Sequence, residues 1–278
     1  MNALKRNPVS VLLALGLLPL LIWVLDWALL SATFTPDLSQ CRAVGDSGAC
    51  WGVIGQKWKV ILFGRYPSEA IWRPALFSTV WTLLLFVSFV RVLSIQTKLA
   101  LWVILGGASL GLLLGGFAGL ATVPTSLWGG LPLTLLVSIL GMVLAFPLGI
   151  LLALGRQHGS GLIQWMCTAY IETLRALPLI AVLFLAAFVL PLFLPAGGGD
   201  LLVRVVITIA LFAAAYLAEV IRGGLQSLSQ GQTMAARALG LSFAQTQVFV
   251  VLPQAVRACL PSLINSFVTL FKECSLIS

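Results

Sequence analysis

Residues 99–155 read LALWVILGGASLGLLLGGFAGLATVPTSLWGGLPLTLLVSILGMVLAFPLGILLALG, a run without a single charged side chain. The interval is about 57 residues, against roughly 20 apolar residues for one helical crossing of a bilayer. It therefore holds two crossings joined by the short turn TVPTSLWGG. The rest of the chain has the same character. Its 278 residues are 60% hydrophobic and 9% charged, whereas a soluble domain carries about 25% charged residues. The fold class is an all-α polytopic membrane protein.

The net charge of +8 does not point to nucleic acid. The basic residues are scattered at span ends, where they set topology and face lipid headgroups. Lys5 and Arg6 precede the first apolar run, which is long for a signal peptide and lacks a small-residue cleavage site. It is expected to be a retained span with the N-terminus on the cytoplasmic side. From there the spans are expected near 9–31, 75–92, 99–121, 130–154, 172–194, 201–221 and 256–277. Arg91 and Lys98 place the second turn inside, as do Arg156, Arg222 and Arg237 for the later ones. The turns TVPTSLWGG and LPAGGGD carry no Lys or Arg and fall outside. An odd number of spans leaves the C-terminus outside, and VTLFKECSLIS stops without a basic flank.

The long loop 32–74 is expected on the outer side. Its segment WGVIGQKWKVILFGRYP sets Trp51, Ile54, Trp58 and Ile61 near one helical face, flanked by Lys57 and Lys59. That pattern fits a helix lying in the membrane interface, with a folded lid over the outer mouth as the alternative. Cys41 and Cys50 flank a polar turn in this loop, and a disulfide between them depends on an oxidising compartment. The single histidine, His158, has no second ligand near it, so no metal site is expected. No constellation of catalytic residues is present.

The chain divides near residue 125. Residues 1–125 contribute spans and the long loop; residues 126–278 carry more punctuation. There Ser138, Gly141 and Ala145 place small side chains at intervals suited to close helix contact. Residues 223–253 hold a soluble-looking stretch that includes GQTMAARALGLSFAQTQVFVVLPQA (231–255). Alanines and Arg237 favour a helix, and Gly240 permits its exit by accepting a positive φ. A second element follows from Leu241 to Val251, and Pro253 is expected to open the last span. Read by pattern alone, this is a cytoplasmic helix that either links two spans or offers a low-profile surface to a partner.

Its spacing resembles the "EAA" loop of ABC importer permeases: Ala235-Ala236, three residues, Gly240, nine residues, then Val250-Val251-Leu252-Pro253. Met234 stands where that family has glutamate. AYLAEVIRGGLQSLSQGQ and YIETLRALPL resemble the polar amino-acid subgroup, with Leu177-Pro178 in place of Thr-Pro. GACWGVIGQKWKVILFGRYPSEAIWRP resembles the M-type permease subunit of general L-amino-acid ABC transporters. The resemblance implies a type I ABC importer transmembrane-domain (MetI-like) core over residues 126–278, preceded by about three further spans.

It implies that Met234, Ala235, Ala236, Arg237, Gly240, Leu252 and Pro253 belong to a coupling loop that docks on an ATPase. It also implies a second permease subunit, two ATP-binding subunits that hold ATP and Mg, and a periplasmic amino-acid-binding protein. The location implied is a bacterial inner membrane. Members of the family have one more span, so a final span is expected beyond Ser278. The chain itself has no GxxxxGK[ST] phosphate loop.

Ionisable groups within spans are functional candidates because burying them in lipid is unfavourable. Asn265, Thr269, Lys272 and Glu273 recur on one face of the last span and are candidates for lining a pathway or for bonding to the partner permease. Glu219 and Arg222 are three residues apart, as are Glu172 and Arg175 at the expected start of the fifth span. Each pair reads as a structural ion pair, with Glu219 also a pathway candidate. The competing function is a secondary transporter or channel subunit not driven by ATP.

Overall fold

The computed structural model describes residues 8–193 and 199–277. Lys5, Arg6, most of the turn LPAGGGD and Ser278 lie outside the described residues. Two compact units divide the chain, Met1–Leu62 and Phe63–Ser278.

In the first unit, α1 (Pro8–Leu25) continues into a π-helical turn, Asp26–Leu30, and its large apolar side chains from Leu13 onward are exposed. α2 (Leu38–Val44) starts at Asp37, whose carboxylate accepts from the Ser39 amide at 2.9 Å. Cys41 and Cys50 form a disulfide with their Cα atoms 5.4 Å apart. The loop it closes is stitched back to the end of α1. The Ala49 amide donates to the Trp27 carbonyl at 2.8 Å, and the Trp51 indole to the Ala28 carbonyl at 2.7 Å. α3 (Gly52–Phe63) is the helix expected in the long loop, and Trp51, Ile54, Trp58 and Ile61 are all exposed.

The second unit begins with α4 (Trp72–Phe89) and α5 (Ile95–Leu114). Phe77, Trp81 and Trp102 stack between them, Trp81 meeting Trp102 edge-on at 5.5 Å. α5 stops seven residues short of the expected end. Gly115 and Gly116 take φ of 74° and 87° there, and the chain turns so that the buried Arg73 guanidinium reaches the Ala121 carbonyl at 2.8 Å.

α6 (Gly130–His158) and α9 (Leu201–Gln226) form the most extensively packed pair. Small residues make that possible. Ser138, Ala145, Ala214 and Ala218 are fully buried, and a Cβ on Gly149 would come within 2.9 Å of the Leu217 Cβ. Close approach multiplies dispersion contacts, which is what associates helices in lipid.

Two expected spans are broken. The fifth is a pair, α7 (Gly161–Ala176) and α8 (Leu179–Leu192), meeting at 103°. Leu177 and Pro178 are both extended at the joint, because a residue before proline is pushed out of the α region and proline supplies no N–H. Glu172 and Arg175 thus sit in the last turns of α7, not at the start of a span. The seventh is α11 (Phe243–Ala258) and α12 (Leu260–Cys274), meeting at 66°. Pro253 lies inside α11 rather than opening the span. A π-helical stretch, Thr246–Val251, precedes it, a register shift that accommodates the missing donor. Four described helices are long and apolar enough to cross a membrane, or six if each bent pair is one crossing.

Candidate functional site

α10 (Gln230–Ala238) follows α9 and is the helix expected in the stretch 231–255. Ser229 caps it, accepting from the Gly231 amide at 3.2 Å. Its exit is fixed by two backbone bonds. The Gly240 amide donates to the Arg237 carbonyl at 2.9 Å and the Leu241 amide to the Ala236 carbonyl at 3.2 Å, with Gly240 at φ 82°. That is a Schellman ending, which needs a left-handed residue at Gly240. Two residues later Ser242 and Gln245 form a capping box and launch α11. The reversal is thus written entirely in GLSFAQ.

Of the expected coupling residues, Ala236 is buried; Met234, Ala235, Arg237, Gly240 and Pro253 are exposed. Leu252 packs against the core. Met234 is 62% and Leu239 83% exposed, so α10 and its exit present apolar surface. Beneath them lies a cavity of about 300 Å3 lined by Gln157, Met234, Arg237 and Gln247 among others. Among the described residues, buried Gln247 Oε1 and Thr246 Oγ1 find no hydrogen-bond partner. His158, at the end of α6, meets the Phe243 ring edge-on at 5.4 Å.

Above this loop an ion network joins three helices. Glu219 of α9 accepts from Arg222 one turn on, and Arg156 of α6 reaches it at 3.0 Å. Arg175 of α7 stands 3.7 Å from the same carboxylate. Arg156 also donates to Glu172 at 2.8 Å. The expected Glu219–Arg222 pair is present, whereas no Glu172–Arg175 ion pair forms among the described residues; those two are drawn instead toward Arg156 and Glu219. In sequence Arg156 reads as a topology marker only. Its place at the end of a 29-residue helix, followed by Gly159-Ser160, is the signal that it turns back onto α7.

A second cavity, about 170 Å3, lies between α6, α9 and α12. Asn265, Thr269 and Glu273 line it from α12, opposite Phe212 and Tyr216 of α9 and Met142 of α6. Lys272 is exposed and does not line it. The four-residue repeat of the three lining residues keeps them on one helical face, while Lys272 falls about 100° away from Glu273. Phe212 and Tyr216, with ring centres 5.1 Å apart, are one turn apart in an apolar helix and carried no sequence signal of their own. Glu219 lies outside this lining. Among the described residues no cluster of His, Cys, Asp or Glu could hold a metal ion.

Apolar helices around a largely apolar cavity that holds a few polar side chains, with a capped helix in one loop, are the architecture of a membrane transport subunit. Residues 145–278 match a family model described as "Binding-protein-dependent transport system inner membrane component". The chain is 38% identical to the inner membrane amino-acid ABC transporter permease protein YhdY of Escherichia coli (strain K12), over 91% of this chain and 70% of that one. It is 34% identical to the glutamate/glutamine/aspartate/asparagine transport system permease protein BztC of Rhodobacter capsulatus, over 99% of this chain and 79% of that one. The probable glutamine ABC transporter permease protein GlnP of Bacillus subtilis is 35% identical over 54% of this chain and 68% of its own length. The chain belongs to this family of binding-protein-dependent inner membrane components. It is an ABC permease, not a secondary transporter, and a multi-pass inner membrane protein.

Proposed function

We propose that the chain is the permease subunit of an ATP-driven amino-acid importer, and that the amino acid passes along the α12 face bearing Asn265, Thr269 and Glu273. The observation that carries this reading is the cavity those residues share with Phe212, Tyr216 and Met142. An amide and a hydroxyl donate to a substrate carboxylate, Glu273 accepts from its ammonium, and the aromatic pair contacts the side chain. Few polar groups in an otherwise apolar pocket give orientation as well as affinity. The named substrates of YhdY and BztC support an amino acid as cargo.

α10 and its Gly240 exit dock on an ATP-binding subunit through Met234, Ala235, Arg237 and Leu239. Two such subunits hold ATP and Mg, a second permease completes the pathway, and an external binding protein delivers the substrate. Closure of the ATPases moves α10, and with it α9 and α11, as rigid bodies. The N-terminus and the turn carrying α10 face the cytoplasm, in keeping with Arg91, Lys98, Arg156 and Arg237 at that side. The test is co-expression with candidate ATPase and permease chains, followed by reconstitution. Nucleotide-dependent amino-acid uptake by the assembled complex is expected; uptake by this chain alone overturns the reading.

A further inference from the structure

A groove of about 600 Å3 runs along the second unit between α4, α5, α6 and α12, apart from the cavity just described except for Met142. Trp81, Leu85, Leu99, Trp102 and Phe267 form its walls, and Gly107 leaves an opening in one of them. Its apolar surface follows from where the indole N–H groups go. Trp81 donates to the Ser109 hydroxyl at 3.2 Å and Trp102 to the Ser88 hydroxyl at 3.0 Å, both within the protein. The aromatic faces and edges that remain have nothing polar to offer an occupant.

One end of the groove is charged. The Lys98 ammonium donates to the Ser88 carbonyl at 2.9 Å, so it sits on the same residue that anchors the groove's Trp102. Arg91 lies in the turn between α4 and α5, is exposed, and among the described residues neither cation forms an ion pair. No Asp or Glu occurs anywhere between Glu69 and Glu172 to neutralise them. An apolar groove with Lys98 at one end, and Arg91 in the turn that adjoins it, matches one chemistry, an acyl chain joined to an anionic phosphate.

We propose that this groove is a binding site for an anionic phospholipid, with an acyl chain along Trp81, Trp102 and Phe267 and the headgroup phosphate at Lys98 and Arg91. The bound lipid fills the space between α5 and α12 and thereby supports the helix that carries Asn265, Thr269 and Glu273 from its opposite side. The site stands on its own geometry and does not depend on what the permease carries.

The full chain, purified in mild detergent, is equilibrated with equal amounts of phosphatidylglycerol and phosphatidylcholine and weighed with its bound lipids by native mass spectrometry. One phosphatidylglycerol per chain is expected, favoured over phosphatidylcholine by roughly 25-fold, about fivefold for each cation at a membrane surface. Arg91→Gln with Lys98→Gln brings that preference close to one while a lipid is still retained, and Lys98→Arg keeps it. A Cβ on Gly107 would meet no atom within 4 Å, so Gly107→Leu starts its side chain into open space within the groove. It lowers retention of both lipids severalfold at an unchanged thermal midpoint. Bulk-ratio lipid on the wild type, or undiminished lipid on Gly107→Leu, overturns the proposal. So does loss of the lipid when partner subunits are present, which assigns the groove to a protein partner.

Discussion

The Arg156 guanidinium lies 3.0 Å from the Glu219 carboxylate, across 63 residues of sequence. Both side chains are about one-fifth exposed, so water screens the pair only in part. Arg156 spends its second nitrogen on Glu172, and one residue therefore ties the ends of α6, α7 and α9. This tie stands next to the 103° joint between α7 and α8, where no backbone hydrogen-bond ladder continues to hold α7 in place.

Removing that tie should loosen α7. Arg156→Gln and Glu219→Gln are each expected to lower the thermal midpoint of the purified protein, with a coupling of about 1–2 kcal/mol in the double-mutant cycle. That corresponds to roughly 3–6 °C for a domain of this size. Strict additivity of the two single effects would show that the contact contributes nothing.

The α6–α9 contact depends on missing side chains. Gly149→Ala places a Cβ 2.9 Å from the Leu217 Cβ and 3.3 Å from the Ala214 carbonyl oxygen. The helices must part, at a cost of roughly 1–3 kcal/mol. Gly223→Ala on the same α9 meets no atom within 4 Å and should be neutral or stabilising by roughly 0.5–1 kcal/mol. Melting curves of the two variants in one detergent decide between them, and equal midpoints would remove the packing explanation.

At Gly240 the constraint is backbone conformation rather than space. Its φ is 82°, and no atom lies within 4 Å of a built Cβ. Gly240→Val is expected to disrupt the Schellman ending, since a left-handed conformation costs an L-residue roughly 1–2 kcal/mol. The protein should still insert while nucleotide-driven uptake falls away from nucleotide hydrolysis. Gly240→Asn, which tolerates that conformation, should keep most of the coupling. Wild-type uptake by the valine variant would sink the coupling role of this loop.

Within the 170 Å3 cavity, Glu273→Gln removes the acceptor for a substrate ammonium. A hydrogen bond to a charged group contributes about 1.5–3 kcal/mol, so KM for uptake should rise about tenfold or more. Association with partner chains and the thermal midpoint should not change. If the complex instead falls apart with KM unaltered, the α12 face belongs to a subunit interface.

Much of this architecture was legible in the residues. The uncharged run 99–155 required two crossings, and both are present as helices. The loop from Ser229 to Gln245 was also readable, down to the positive φ at Gly240. Two misplacements were at prolines, and a third at Gly115-Gly116, where α5 stops early. Leu177-Pro178 reads in sequence as part of a subgroup pattern rather than as a helix stop, which conceals the bend between α7 and α8. Pro253 reads in sequence as a helix start, but a π-helical turn absorbs it inside α11. Hydropathy averages over such breaks, because a window the length of a span reports apolar content and not backbone direction.

The sequence by itself determined the membrane class, the two helices of the uncharged run and the reversal at Gly240. Each depends on hydrophobic length or on hydrogen bonds closed within about six residues. Only the tertiary structure decided that Arg156 bridges Glu172 and Glu219, that Phe212 and Tyr216 face Asn265 and Glu273, and that Trp81 and Trp102 wall a groove ending at Lys98. Those relationships turn on how far each helix is rotated about its axis. In a chain where most faces are apolar, periodicity does not specify that rotation. The close fit of Gly141 and Gly149 against Ile209 and Leu217 does.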